Sequence, residues 1–151
     1  MKRSQRMTVV QKVVDDQERR RAQALAASEL RVTESEAKLA ELEAYRGSYV
    51  RGFNSEAGAG MTAARARDYQ VFLARLEDAL RQQAQAVGRA KAHREAERQR
   101  WRGAAQRAGA VDHMVKVWKD ADRQELERHE QRESDELSQR PQALGVHRRG
   151  P

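Results

Sequence analysis

Apolar residues in the second half of the chain recur in alternating steps of three and four. One row contains Leu73, Leu80, Val87, Arg94, Trp101, Ala108 and Val115. Its partner row contains Leu76, Gln83, Ala90, Glu97, Ala104, Val111 and Trp118. This alternation is typical of a coiled coil and predicts a helix from about residue 62 to about residue 138, although its polar members dilute it.

The first half carries a weaker version of the same pattern. Leu25, Val32 and Leu39 recur every seven residues, and a neighbouring row runs from Met7 to Tyr49. Polar residues interrupt the neighbouring row, namely Arg21, Ser28 and Ser35. The pattern predicts a first helix from about residue 5 to about residue 50.

Closely spaced glycines separate the two patterns. Gly58 and Gly60 lie in SEAGAGMTA, Gly47 and Gly52 stand just upstream, and no proline precedes Pro141. We therefore predict a turn over residues 51–61, with Thr62 or Ser55 capping the second helix.

A short turn makes consecutive helices antiparallel neighbours. The predicted fold is all-α: a single long antiparallel two-helix coiled-coil hairpin over residues 1–140, followed by a disordered tail over residues 141–151.

The predicted turn also sets which residues face each other. Residue i of the first helix would face roughly residue 113 − i, so the first helix would end near residue 112 of the second. Val111, Val115 and Trp118 lie at that edge. Either they meet the N-terminal residues or a folded-back tail, or they form an apolar patch that binds another protein.

Composition agrees with an elongated helical protein. Of 151 residues, 38% are hydrophobic and 35% charged, which is too little apolar material for a thick globular core and typical of a coiled coil. There is no cysteine and no apolar run long enough to span a bilayer. We expect a cytosolic protein without a cleaved leader.

The sequence shows no pattern of catalytic or metal-binding residues. The four histidines have no metal-ligand spacing, and no phosphate-binding glycine loop follows a strand. We expect no enzymatic activity, cofactor or small-molecule substrate. The net charge of +7 is interleaved with acidic residues and lacks aromatic platforms, so an RNA-binding hairpin is a less favoured alternative.

Aromatic residues gather around the predicted turn. Two sets follow one face of each helix: Lys38, Leu42, Tyr45 and Tyr49, and then Phe72, Leu76, Ala79 and Gln83. This apolar arc is wider than a two-helix seam requires. It either clamps the tip of the hairpin or binds a protein, and the aromatic content favours binding.

The stretch from Tyr45 to Gln83 resembles the middle of the FliJ family of the bacterial flagellar type III export apparatus. The similar features are the paired Tyr45 and Tyr49, the Gly58–Gly60 turn, Tyr69-Gln70, Phe72-Leu73, Leu76, Ala79, Trp101-Arg102, Glu130-Gln131 and Asp135-Glu136.

The resemblance implies a coiled-coil hairpin that looks like the central shaft of rotary ATPases. It implies a protein that binds the hexameric export ATPase, contacts the cytoplasmic part of the transmembrane export gate and escorts export chaperones, peripherally associated with the inner membrane. The implied gate contacts are Leu42, Tyr45, Tyr49, Phe72, Leu76 and Ala79, with Lys38 and Gln83 at flanking positions. The charged ATPase end would include Arg19, Arg20, Arg21 and residues 119–137.

Two further alternatives stay open from the sequence. One is a generic coiled-coil scaffold or chaperone without an export role. The other is the analogous protein of a virulence-type secretion system, although the aromatic motif favours flagella.

Overall fold

Two long α-helices make up the described part of the protein. A computed structural model describes residues 2–144, with side chains as far as residue 139. Helix α1 spans Arg3–Ala59 and helix α2 spans Ala63–Leu144. The helices pack against each other, and no strand occurs among the described residues, so the predicted all-α hairpin is confirmed.

The break between the helices is shorter and later than predicted. Helix α1 continues past residue 50 to Ala59, and only residues 60–62 are non-helical. Gly60 has a φ of +101°, a conformation that glycine adopts without the steric cost of a β-carbon. The glycines upstream lie within the helix because glycine weakens a helix without necessarily ending it.

Thr62 caps the second helix. Its hydroxyl oxygen accepts a hydrogen bond from the backbone N–H of Arg65 at 3.2 Å, and its carbonyl accepts the N–H of Ala66 at 3.0 Å. Ser55, the alternative cap, lies inside α1 and does not have this role.

The second helix also extends beyond its predicted end. It runs through Pro141 to Leu144, where we expected the disordered tail to begin. The remainder of that predicted tail, residues 145–151, lies outside the described residues.

The later break displaces the register of the two helices. The amide of Gln83 donates to the Ser35 carbonyl at 2.9 Å, and the Trp101 indole donates to Glu18 at 2.8 Å. The predicted register placed residue 78 opposite residue 35 and residue 95 opposite residue 18. The observed partners lie five and six positions further along α2, because the break itself lies later than we predicted.

The chain divides into two units, a turn unit and a terminal unit. The turn unit comprises residues 18–103, and the terminal unit comprises, among the described residues, 2–17 and 104–144. In the turn unit, Val32, Leu76 and Val87 are buried between the helices, together with the polar side chains of Ser28 and Glu97. These residues belong to the predicted heptad rows, which therefore form the helix–helix interface.

In the terminal unit, polar contacts join the N-terminal part of α1 to α2. The Ser4 hydroxyl donates to the carboxylate of Asp122, and the Gln11 amide donates to Asp112 at 2.8 Å. Ala104 is buried at 1% exposure. Pairing of the two helices thus continues about ten residues beyond the predicted end near residue 112.

This longer pairing bears on the apolar edge, for which the sequence left open either contact with the N-terminal residues or a patch for another protein. Val115 is only 2% exposed, and Val111 and Trp118 are partly buried. The Arg3 guanidinium lies 5.7 Å from the centre of the Trp118 ring. The buried Val115 and the contact of Arg3 with Trp118 agree with the alternative in which this edge meets the N-terminal residues.

Neither described helix has a stretch long and apolar enough to cross a membrane.

Candidate protein-binding surface

Five aromatic rings form one connected cluster beside the turn. Tyr49 lies at its centre, with ring centroids 4.6 Å from Phe72, 4.9 Å from Tyr69 and 6.4 Å from Tyr45. Tyr45 approaches Phe72 edge to face at 6.2 Å, and Phe53 approaches Tyr69 at 5.2 Å. Rings from both helices therefore hold one another in tilted and edge-on geometries that stabilise aromatic pairs.

The structure separates the six implied gate contacts and the flanking Gln83 by exposure. Tyr45 is 52% exposed and Phe72 is 38% exposed, whereas Leu76 is buried at 6%. The other four are partly buried: Leu42, Tyr49, Ala79 and Gln83. Because Leu76 is buried, it can pack beneath the exposed rings but offers little area to a binding partner.

Gln83 has a structural role in the hairpin. Its amide nitrogen donates to the carbonyl of Ser35 at 2.9 Å and lies 3.1 Å from the Ser35 hydroxyl. This side chain is therefore engaged across the helix–helix interface and fixes the local register.

The exposed Tyr45 and Phe72 lie on the same side of the interface, together with Lys38 and the partly buried Ala79. In heptad notation, Lys38 and Tyr45 of α1 and Phe72 and Ala79 of α2 occupy g positions, next to the buried a and d rows. In an antiparallel pair, the g positions of both helices border the same side. We call this set, Lys38, Tyr45, Phe72 and Ala79, the aromatic flank.

A cavity opens on the opposite side of the same interface. Its volume is about 200 Å³, and its lining residues are Tyr49, Val50, Phe53, Tyr69, Gln70 and Leu73. Val50 and Gln70 occupy e positions, which border the side away from the g positions. We call Glu36, Glu43, Val50, Gln70 and Glu77, all at e positions, the cavity flank.

Sequence reasoning did not find this cavity. Val50 directly follows Tyr49, and Gln70 directly follows Tyr69. Each therefore lies on a different side of its helix from the predicted stripe that contains Tyr45 or Phe72. One signal for the cavity was present in the sequence: the e positions at residues 36 and 43 are glutamates, whereas the next e position is the apolar Val50.

An ion pair braces the cluster at the turn. The guanidinium of Arg65 donates two hydrogen bonds to the Glu56 carboxylate, at 2.7 and 3.0 Å, and lies 5.8 Å from the centre of the Tyr69 ring. The hydrogen bond from Arg65 lowers the pKa of Glu56, and the same carboxylate raises the pKa of Arg65. Partial burial, followed by the neighbouring Tyr69 and Tyr45, raises the pKa of Tyr49.

The cavity flank has ion pairs of its own. Arg46 contacts Glu77 at 3.2 Å, and Lys91 contacts Glu36 at 3.4 Å. All four side chains are about half exposed. Among the described residues, no group of three or more His, Asp or Glu side chains is arranged to hold a metal ion.

Comparison with known proteins adds one positive result. The family described as flagellar FliJ protein matches this chain over residues 2–143. A search of curated proteins and a search of solved structures each found no match. With nearly its whole length covered by the match, the chain belongs to the flagellar FliJ protein family and is a component of the flagellar export apparatus.

Proposed function

We propose that this protein is a non-enzymatic export component that uses the aromatic flank to contact the cytoplasmic part of the transmembrane export gate. The observation that carries the proposal is the exposure of Tyr45 and Phe72, at 52% and 38%, in a ring cluster whose other members are partly buried. Large exposed aromatic side chains held in place by neighbours are favoured anchors in protein interfaces.

The buried members of the predicted set act indirectly in this proposal. Leu76 and Tyr49 support the two exposed rings, and Gln83 keeps the helices in register through Ser35. A surface already ordered before binding loses less side-chain entropy when the partner arrives.

The proposal assigns the export ATPase to the terminal unit. All residues of α2 from 123 to 139 are exposed, and the last contact with α1 noted above is that of Asp122. Six acidic side chains and three arginines lie along this segment, so the ATPase hexamer can engage it through charge complementarity. Escort of export chaperones and a peripheral location at the inner membrane complete the proposal.

A double substitution tests the gate contact. Tyr45→Ala combined with Phe72→Ala removes both exposed rings and should weaken binding to the purified cytoplasmic domain of the gate at least about tenfold, by calorimetry. Motility in soft agar should fall in parallel.

Leu30→Ala provides the matched control, because Leu30 is 59% exposed in the same unit but lies away from the ring cluster. Circular dichroism should show equal helicity in all three proteins. Unchanged gate affinity in the double variant would disprove the role of the aromatic flank.

A further inference from the structure

Helix α1 carries two stripes with the same seven-residue spacing and opposite charge. The g stripe consists of Arg31, Lys38 and Tyr45, and the e stripe consists of Glu36, Glu43 and Val50. The charged members of both stripes are exposed, Tyr45 is 52% exposed, and Val50 lines the cavity. Each stripe therefore has two charged positions followed by one apolar position, in the same order along the helix.

The two stripes complement each other in a single alignment. When Tyr45 of one helix is placed beside Val50 of a parallel helix, Lys38 falls beside Glu43 and Arg31 beside Glu36. The offset is five residues at each of the three positions, since both stripes repeat every seven. Residues at e and g positions are those that form ion pairs between neighbouring helices and select their partners.

We propose that a second copy of this chain docks its aromatic flank on the cavity flank of the first. Tyr45 of one copy then enters the cavity of the other, while Lys38 and Arg31 pair with Glu43 and Glu36. The cavity volume of about 200 Å³ is equivalent to roughly six or seven waters and is comparable to one aromatic side chain.

The surface beside the cavity flank permits a close approach. Ala40, at the exposed b position between Glu36 and Glu43, presents only a methyl group. Small residues allow a second helix to come near the backbone, so the charged and apolar contacts can form together.

The ion pairs already present on the cavity flank do not prevent a second copy from docking there. Glu36 contacts Lys91 at 3.4 Å, with both side chains 51% exposed. An exposed pair of this kind contributes only about 0–1 kcal/mol, so its carboxylate remains available to another cation.

The contact is heterologous, because it joins two different surfaces. A dimer formed in this way retains one unused cavity flank and one unused aromatic flank, so association can continue beyond two copies. Self-association would also cover Tyr45 and exclude the export gate. That exclusion rests on the proposed function, whereas the association itself does not.

Two charge-reversed variants test the contact. One carries Glu36→Lys and Glu43→Lys, and the other carries Arg31→Glu and Lys38→Glu. In sedimentation velocity, the wild-type sedimentation coefficient should rise with protein concentration, and the rise should weaken with added salt. Each variant alone should associate at least tenfold more weakly. An equimolar mixture should recover association, because the two native flanks remain complementary and the two charge-reversed flanks are complementary to each other.

A control variant adds positive charge to the same helix away from both flanks. Ala37→Lys with Ala44→Lys alters exposed f positions, which lie between the two flanks on the far side of the helix, and should associate as the wild type does. A wild-type protein that stays monomeric at all concentrations, or a mixture that stays monomeric, overturns the proposal. Gate affinity is not measured in this experiment, so its failure leaves the proposed function intact.

Site-specific crosslinking checks the alignment. The chain has no cysteine, so Lys38→Cys in one copy and Glu43→Cys in another introduce the only thiols. Oxidation should give a crosslinked dimer from the mixture of the two variants and much less from either variant alone. Equal crosslinking in all three samples contradicts a heterologous contact.

Discussion

At the scale of single residues, Glu56 and Arg65 connect the end of α1 to the start of α2. Their two hydrogen bonds are short, and Arg65 also lies over the Tyr69 ring. Both side chains are substantially exposed, at 40% and 62%, so solvent screens the attraction. The pair therefore orients the turn more than it stabilises the hairpin.

The pKa of Glu56 provides a direct readout of this pair. The hydrogen bond from Arg65 lowers it from an ordinary value of 4.5. A lowered folded-state pKa means that the pair contributes fully above about pH 4.5 and is lost as the pH falls through the folded-state value. In Arg65→Gln, an NMR titration of the Glu56 carboxyl should give a higher pKa, closer to 4.5.

Arg67→Gln is the control for that titration, because it removes the same charge two positions away without touching the pair. It should leave the Glu56 titration where it is in the wild type. Identical Glu56 titrations in the wild type and Arg65→Gln would show that the pair does not form in solution.

Glu97 is a charged residue in the middle of an apolar row. It is 6% exposed, one of its carboxylate oxygens contacts Arg100 at 2.8 Å, and the other has no hydrogen-bond partner. The Nε of Arg94 is also buried without a partner. Polar atoms left unpaired in an interface cost free energy.

Replacing Glu97 with an apolar residue should therefore stabilise the hairpin. We expect Glu97→Leu to raise the free energy of unfolding by about 1 kcal/mol, because it removes the unpaired oxygen and buries a seam leucine. Urea denaturation followed by circular dichroism measures the change, with Glu95→Leu as the exposed control. A loss of stability in Glu97→Leu would mean that the contact with Arg100 outweighs the burial cost.

At the scale of the helices, the turn depends on one glycine. Gly60 has a φ of +101°, whereas Gly58 is helical, and an added Cβ would have open space at both positions. Gly60→Ala should destabilise the hairpin by about 1 kcal/mol through backbone strain. Gly58→Ala should stabilise it by up to about 1 kcal/mol through helix propensity.

Urea denaturation of both variants shows whether backbone conformation decides the change in stability. The two substitutions add the same methyl group, so a difference between them cannot come from side-chain size. If both substitutions change stability in the same direction, the positive φ of Gly60 is not required in solution.

The heptad rows could be predicted from sequence because burial between two helices requires apolar side chains at fixed intervals. Leu73, Leu76 and Val87 are found at the interface for this reason. The position of the turn could not be predicted as well. Four glycines precede Met61 within a short span, and spacing alone does not show which one adopts a positive φ.

The candidate surface was predictable only in part for the same reason. The stripe containing Tyr45 and Phe72 follows from the spacing within each helix. The cavity and the partner of Gln83 depend on which α2 residues face α1, and a displacement of five residues changes every such pair. Predicting which residues of a stripe are exposed therefore requires the register of the two helices, which the structure provides.

At the scale of the whole chain, the two helices differ in length, with 57 residues in α1 and 82 in α2. From residue 123 to residue 139 α2 is exposed on every side, with local ion pairs such as that of His129 with Glu133 at 3.1 Å. The segment is polar apart from the exposed Leu126 and Leu137, so it gains little from burial and is supported by such pairs. This segment therefore adds helix without adding core.

Removal of residues 123–151 should lower the helix content of the protein without lowering its stability. The shortened protein should lose ellipticity, while the midpoint of urea denaturation should stay near the wild-type value, because the buried Val115 and the contacts of Ser4 and Gln11 are retained. Under the proposed function, binding to the export ATPase should be lost and gate affinity kept. Removal of residues 109–151 is the contrasting variant, since it also deletes Val115 and should lower the midpoint. If the shorter deletion lowers the midpoint of urea denaturation equally, residues 123–151 make stabilising contacts. Loss of ATPase binding would then be explained by unfolding and not by the missing segment.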